Sequence, residues 1–321
     1  MNVAKYFLLS VVVLLNLSSN AQTPRINFTL PGLYPEGLAY NPKNNLFYVS
    51  SETTGSIGTV DQLGIYRPFY QNATFKSSYG LKVDAKQNRL WACVSDATYS
   101  WFSDSTTYKK TGRLVAIDLG NGRKVADINL AKLYAGKHFL NDLTFDNAGN
   151  IYVTDSYSPV IYKVDAQGKA SIFAQSDLFG GEDIGLNGIA YNPQGFLVVN
   201  NDSQGALYRV DIKDPKSIVK VNVDDLFPGA DGMLFSNDST LVLIQNKSVD
   251  KVHQLISPDG FKTAEVRMST SSEDRFQQPS TGTTANGQLY VLNSKVNELS
   301  DPTKRPSKDF SIQLVEFKPA Q

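Results

Sequence analysis

A short pattern of polar and apolar positions recurs along most of the chain. Each copy opens with a polar or aromatic residue, then a Gly or Asp, then an apolar residue, and a turn leads into a strand rich in aromatic residues and valine. The clear copies are Glu36-Gly37-Leu38, Tyr79-Gly80-Leu81, Asn141-Asp142-Leu143, Asn187-Gly188-Ile189 and Asp231-Gly232-Met233, and a weaker sixth begins at Pro279-Ser280. Apart from one longer interval, the copies recur every 40–50 residues or so, the length of a four-stranded propeller blade.

The strands inside each copy predict an all-β fold. Asn and Gly residues separate the first two strands, as at residues 147–150, and this is the chemistry of tight turns. Residues 25–30 form one more apolar strand before the first copy, and pairing it with the last blade would close the ring and cover both sheet edges. We therefore predict a six-bladed β-propeller closed by an N-terminal strand. The alternative, an open β-sandwich, does not account for the repeat period.

The N-terminus is typical of a secretory signal peptide. Lys5 is followed by an apolar run over residues 7–15 and by small residues up to Ala21. The alternative is a membrane anchor, but the run is short for a bilayer span. We predict a signal peptide at residues 1–21, a single propeller domain at 22–321 and an exported protein, periplasmic or secreted, that has no membrane association once the signal is removed.

Composition narrows the choice of partners. Lys plus Arg and Asp plus Glu each total 31, so the chain has no net charge to attract nucleic acid or an anionic membrane. Cys93 is the only cysteine, which rules out an internal disulfide. The hydrophobic fraction of 41% is enough for a large core. We expect a monomer that binds a small molecule.

The blade starts carry the candidate site. In a propeller these positions converge on one mouth of the central channel, and here they hold Glu36, Asn141, Asn187 and Asp231. Two carboxylates and two amide oxygens form an oxygen-rich set that suits Ca²⁺, with another divalent cation as the alternative. With no cysteine nearby and His138 the nearest imidazole, zinc is disfavoured. The competing interpretation is that these residues only hold the inner loops together by hydrogen bonds.

The ordered set of motifs resembles the senescence-marker-protein and gluconolactonase family of six-bladed, calcium-dependent hydrolases, whose relatives include paraoxonases and strictosidine-synthase-like propellers. The resemblance covers the predicted mature chain and rests on Pro35-Glu36-Gly37, Asn141-Asp142-Leu143, Asn187-Gly188-Ile189 and Asp231-Gly232-Met233. It implies a lactonase or esterase in which Glu36, Asn187 and Asp231 bind the metal. It also implies that Asn141 binds metal or substrate and that Asp231 is the base that activates water.

One position departs from the family. Gluconolactonase-type members carry an arginine two residues before the third-blade Asn, where this chain has Phe139. A more apolar ester or lactone is therefore expected rather than a sugar-acid lactone. The long interval in the second blade holds an expanded loop, in which Trp101 and Phe102 are predicted to form, beside Phe139, an apolar wall of the substrate site.

A non-catalytic function remains open at this stage. The segment from Ile151 to Asp165 also resembles an NHL repeat, and NHL propellers are binding platforms. His138 is a second candidate for proton transfer, although a histidine in such a loop is more often structural. The sequence alone leaves hydrolase and binding module as the two alternatives.

Overall fold

The computed structural model describes residues 24–247, 249–301 and 303–319. The predicted signal peptide at residues 1–21 lies outside this range. Six antiparallel sheets are arranged in a ring, and the first strand of each sheet contacts the first strand of the next sheet until the ring is complete. The prediction of a six-bladed β-propeller is thereby confirmed. No helix in the described ranges has the length and apolar character needed to cross a membrane.

Within each blade, consecutive strands of the chain are neighbours, except that the first and last strands of the chain join blades formed by strands distant in sequence. Strand β1 is Arg25–Thr29. The first three blades consist of β2 Leu38–Asn41, β3 Leu46–Val49, β4 Ile57–Val60, β5 Tyr66–Tyr70, β6 Ser77–Asp84, β7 Arg89–Ser95, β8 Gly112–Asp118, β9 Lys124–Asn129, β10 Leu140–Phe145, β11 Ile151–Asp155, β12 Val160–Val164 and β13 Ala170–Gln175.

The remaining blades repeat this arrangement. They consist of β14 Leu186–Asn192, β15 Phe196–Asn201, β16 Ala206–Asp211, β17 Ile218–Lys220, β18 Ala230–Asn237, β19 Thr240–Gln245, β20 Lys251–Ile256, β21 Glu265–Ser269, β22 Pro279–Ala285, β23 Gln288–Asn293 and β24 Asp309–Leu314. Short 3₁₀ helices occupy Leu130–Lys132, Asp177–Phe179, Ser272–Asp274 and Val296–Ser300. A last strand, β25 at Lys318–Pro319, adds to the outer edge of blade five against β21 and was not expected from the sequence.

The N-terminal strand closes the ring, as predicted. Strand β1 pairs antiparallel with β24, with Arg25 opposite Gln313 and Thr29 opposite Asp309. Phe28 points into the core between blades six and one, where its ring lies 6.1 Å from Phe310. Since β1 precedes blade one in the chain and β24 belongs to blade six, this pairing joins the first and last blades directly.

Apolar layers between neighbouring blades form the rest of the core. The layer between blades two and three contains Cys93, Leu114, Leu143 and Val153, all fully buried. Burial raises the pKa of the Cys93 thiol well above its usual range, as expected for a packed, unreactive cysteine. The outermost strands, such as β5 and β9, are more exposed, and each pairs with a neighbouring strand along one edge only.

Ring closure by β1 can be tested with one substitution. Phe28→Ala removes a buried ring between the first and last blades and is expected to cost about 3–5 kcal/mol of unfolding free energy. Asn27→Ala is the matched control, because Asn27 is the exposed neighbour on the same strand and should cost no more than about 0.5 kcal/mol. Urea unfolding followed by tryptophan fluorescence measures both. Equal losses in the two variants would contradict the closure.

Candidate functional site

Irregular strand pairing positions the candidate ligands. In the third, fourth and fifth blades the first strand has a β-bulge near its start, between Leu140 and Leu143 in β10 and at the corresponding places in β14 and β18. Asn141, Asn187 and Asp231 each lie within such a bulge. A bulge bends the strand and changes the direction of its side chains, so all three can face the channel rather than alternate between the sheet faces.

These three residues and Glu36, which comes just before β2, line one cavity of about 710 Å³. This volume is within the range of small-molecule sites. The structure therefore brings the four sequence-predicted residues together on one face of the ring.

Three buried oxygens in this cavity have no hydrogen-bond partner in the described structure: Glu36 Oε2, Asn141 Oδ1 and Asn187 Oδ1. The Asn141 amide is oriented by its Nδ2, which donates to Ser156 Oγ at 3.0 Å and leaves the oxygen as the unpaired atom. An unsatisfied buried polar atom costs about 1–3 kcal/mol. Three of them lining one cavity indicate that a ligand completes their bonding, and oxygen donors of this kind fit a hard cation.

The backbone beneath these side chains is fixed by the neighbouring blade. Thr154 Oγ1 donates to the carbonyl of Asn187 at 2.6 Å, and Asn200 Nδ2 donates to the carbonyl of Asp231 at 2.6 Å. Ser280 Oγ donates to the carbonyl of Glu36 at 2.7 Å. Because the main chain is held in this way, the carboxyl and amide groups remain available to the cavity.

The two carboxyl groups of the set are strongly perturbed. Burial raises the pKa of Glu36 well above its usual range, and the nearby Asp231 adds to that effect. Burial likewise raises the pKa of Asp231, with the charge of Asp202 as the next contribution. Asn246 Nδ2 donates to Asp231 Oδ2 at 2.7 Å and opposes the shift. Positive charge close to the pair favours the ionised form of both groups, and a divalent cation would supply it.

The candidate ligands do not form a conventional cluster of charged, thiol or imidazole side chains. Among the residues that the structure describes, His, Cys, Asp and Glu side chains do not assemble in groups of three or more suited to a metal. The arrangement found here mixes two carboxyl groups with two amides. Asp142, the residue after Asn141, is also buried, but the backbone N–H of Leu143 donates to it at 2.8 Å.

Sequence reasoning missed a further carboxyl group. Glu52 lines the same cavity, is only 4% exposed and accepts a hydrogen bond from Thr98 Oγ1, which also lies 3.2 Å from the Tyr79 hydroxyl. Asp202 and Asn246 line the cavity as well. All of them follow the second strand of a blade, which returns to the cavity face. The polar residues that follow each second strand in the sequence could therefore have indicated this part of the site.

Aromatic rings form one wall of the cavity. The ring of Tyr79 lies 4.5 Å from that of Phe139, which lies 5.5 Å from that of Tyr157. Phe139 is thus placed at the cavity, where the sequence analysis expected it. Tyr99 and Tyr108, from the expanded loop of blade two, line the cavity too, so this loop does reach the site.

The structure corrects the assignment of Trp101 and Phe102. Neither lines the cavity. The Trp101 indole packs on Gly32, the backbone N–H of Trp101 donates to the carbonyl of Thr53, and Phe102 lines a separate depression together with Gly32. Both side chains are 54% exposed. The loop turns between Ser100 and Ser103, so its two aromatic pairs point in different directions, which hydrophobicity alone could not distinguish.

The two histidines lie outside the cavity lining. The Nδ1–H of His138 donates to Asp155 Oδ2 at 2.8 Å in a buried cluster. His253 is held by Ser269 and Gln245, and burial lowers its pKa to about 4. His253 borders a separate cavity of about 800 Å³ near the last strands of blade five. That cavity is larger, but it contains none of the unpaired buried oxygens described above.

Comparison with known proteins supports the fold. No protein-family model and no curated protein matches this sequence. Among solved structures the chain resembles the major Malassezia sympodialis allergen Mala s 1, with 19% identity, 92% of this chain and 97% of that chain covered, and a TM-score of 0.72. It also resembles a gluconolactonase-like protein (17% identity, 94% and 95% covered, TM-score 0.62) and a luciferin-regenerating enzyme (10%, 92% and 97%, 0.62). The resemblance drawn from the motifs is confirmed at the level of the fold.

The raised pKa of Glu52 predicts that the unfolding free energy depends on pH when divalent cations are chelated. Burial raises its pKa from 4.5 to about 7, so between these values the folded protein retains a proton that the unfolded chain has lost. Its contribution to stability is therefore lost as the pH rises towards 7 and above. Between pH 5 and pH 8 we expect the unfolding free energy to fall more in the wild type than in Glu52→Gln, by on the order of 2 kcal/mol.

Urea titrations at the two pH values measure this difference. Glu182→Gln is the control, because Glu182 lies exposed outside the cavity lining and its variant should keep the wild-type pH slope. Identical slopes in the wild type and Glu52→Gln would contradict the assignment.

Proposed function

We propose that this protein is a metal-dependent hydrolase of lactones or esters, with Ca²⁺ bound by Glu36, Asn187 and Asp231 and with Asn141 beside them. The observation that carries the proposal is the set of three buried oxygens without partners, on Glu36, Asn141 and Asn187, that line one cavity with Asp231. The likeness of the fold to that of a gluconolactonase-like protein is consistent with such chemistry. When bound, the cation would polarise the carbonyl of the substrate.

Asp231 is the residue best placed to move a proton. It lines the cavity, and Asn246 holds one of its oxygens, which leaves the other oxygen to accept a proton from water. Asn246 also donates to the carbonyl of Pro279 at 3.1 Å, so it is fixed to the next blade and can orient the carboxyl group. Asn246 is thus a positioning residue of the proposed reaction.

The aromatic wall sets the expected class of substrate. The rings of Tyr79, Phe139 and Tyr157 line this wall. Phe139 stands where gluconolactonase-type members have an arginine, which would favour a sugar acid. The buried rings also keep water away from one side of the cavity. An ester or lactone with an apolar or aromatic part therefore fits the site better than a polyhydroxylated acid lactone does.

Metal binding is the first test of this function. Calorimetric titration of chelator-treated protein with CaCl₂ should show one site. Glu36→Gln should weaken it at least about tenfold, because the neutral amide removes one charge from the set. Glu265→Gln is the control, since Glu265 is exposed on strand β21 and does not line the cavity. Wild-type affinity in Glu36→Gln would remove Glu36 from the metal site.

Catalysis is tested separately, at saturating calcium. With dihydrocoumarin and phenyl acetate as probes, Asp231→Asn should lower kcat about 10²- to 10⁴-fold, because the amide retains an oxygen but cannot accept the proton. Asp238→Asn is the matched control, since Asp238 lies exposed at the opposite end of the same β-hairpin. If calcium binds and a broad panel of esters and lactones is not hydrolysed, the binding-module alternative is favoured instead.

A further inference from the structure

We propose that the cavity is built for a ligand that carries a positively charged nitrogen next to an aromatic or apolar group, with Glu52 and Asp183 as the residues that select the charge. This inference rests on the proposed function only in placing the ligand in the same cavity. It goes further by naming the chemical class of the ligand and the two residues that select it.

The charges that line the cavity are unequal. The acidic residues are Glu36, Glu52, Asp183, Asp202 and Asp231, whereas the only Lys, Arg or His in the described lining is Lys247. Lys247 Nζ lies 3.8 Å from Asp202 Oδ1, which accounts for one of the acidic groups. A bound divalent cation would balance Glu36 and Asp231.

Two carboxyl groups remain without a cation under this assignment. Within the described residues neither Glu52 nor Asp183 forms an ion pair, and the one side-chain hydrogen bond to the Glu52 carboxyl comes from the neutral Thr98. Both line the cavity, Glu52 from the loop after the second strand of blade one and Asp183 from the loop before β14. Glu52 is almost fully buried, so water does little to screen its charge.

The same two residues border the aromatic wall. Thr98 Oγ1 donates to the Glu52 carboxyl and lies 3.2 Å from the Tyr79 hydroxyl, and Asp183 lines the cavity together with Tyr99 and Tyr157. Carboxyl groups and tyrosine rings that line one cavity suit an organic ammonium group, because the carboxylate charge and the ring quadrupoles both attract the cation. A bare metal ion would gain nothing from the rings.

One contact between an ammonium group and a tyrosine ring is already present at the aromatic wall. Lys109 Nζ lies 4.7 Å from the centre of the Tyr157 ring and 5.2 Å from that of Tyr108. Lys109 is not among the residues that line the cavity. The contact shows that an ammonium group is accommodated on the Tyr157 ring in this fold.

The test is a comparison of two probes with the same skeleton and different charge. Calorimetric titrations use 2-phenylethylammonium and 2-phenylethanol at fixed ionic strength and at pH 8, above the Glu52 pKa of about 7, so that this carboxyl group is ionised. Saturating CaCl₂ is present, so that Glu36 and Asp231 do not attract the ammonium probe themselves. The cation should bind at least about fivefold more tightly than the alcohol. Equal affinities, or the absence of any binding, would overturn the inference.

Two variants assign the preference to its residues. Glu52→Gln retains an oxygen that can accept the Thr98 hydrogen bond, and Asp183→Asn changes an exposed loop residue and therefore tolerates substitution. Each should lower the ratio of cation to alcohol affinity at least about twofold, with the alcohol affinity unchanged. Glu182→Gln, next to Asp183 but outside the cavity lining, should retain the wild-type ratio. An unchanged ratio in both cavity variants, or the same loss in Glu182→Gln, would overturn the assignment.

Calcium binding and hydrolysis are measured on the same preparations, so the two proposals can fail separately. A cation preference lost in Glu52→Gln or Asp183→Asn supports the ammonium site whether or not an ester is cleaved. A protein that cleaves neutral lactones with no preference for the cation contradicts the ammonium site alone.

Discussion

The site depends on hydrogen bonds that connect each blade to the next at the face of the cavity. A polar side chain from one blade donates to a backbone carbonyl in the first strand of its neighbour, as from Thr154 to Asn187 and from Asn200 to Asp231. Ser280 makes the corresponding contact from the last blade to Glu36. These bonds satisfy the backbone next to the cavity, where regular strand pairing is interrupted by bulges. The main chain of these residues is therefore held by bonds that leave the Glu36, Asn141 and Asn187 oxygens without a partner in the described structure.

Close approach of the first strands explains the glycine in the repeated motif. A Cβ atom on Gly37 would lie 2.1 Å from the carbonyl oxygen of Tyr79, and one on Gly188 would lie 2.1 Å from that of Asp231. No side chain fits at either position. The glycine that follows the polar residue in these motifs thus allows neighbouring blades to pack closely. Only the polar residue before it is a candidate for binding a ligand.

Much of the fold and part of the site could be predicted from the sequence, because both follow from a repeat. The period gave the number of blades, and the apolar strand at residues 25–30 indicated the closure that β1 makes. The four blade-start residues were found because equivalent positions in a propeller share one face. Glu52 and Asp183 were missed because they lie after a second strand and in a connecting loop. Trp101 and Phe102 were misplaced because the course of a long loop depends on local bonds, such as those of Asp96 with Ser103 and Thr107.

The alternative interpretation is that the blade-start residues only hold loops together by hydrogen bonds. Another polar cluster of this protein has that role and can be compared with them. Asp155 accepts hydrogen bonds from His138, from the backbone N–H groups of Phe139 and Tyr157 and from the Tyr162 hydroxyl. That carboxyl group has many donors and does not line the cavity. The oxygens of Asn141 and Asn187 are equally buried yet have no partner in the described structure, and they face a cavity. A purely structural cluster would gain about 1 kcal/mol for each bond made and would be built like that of Asp155. The missing partners therefore favour a ligand site over a structural one.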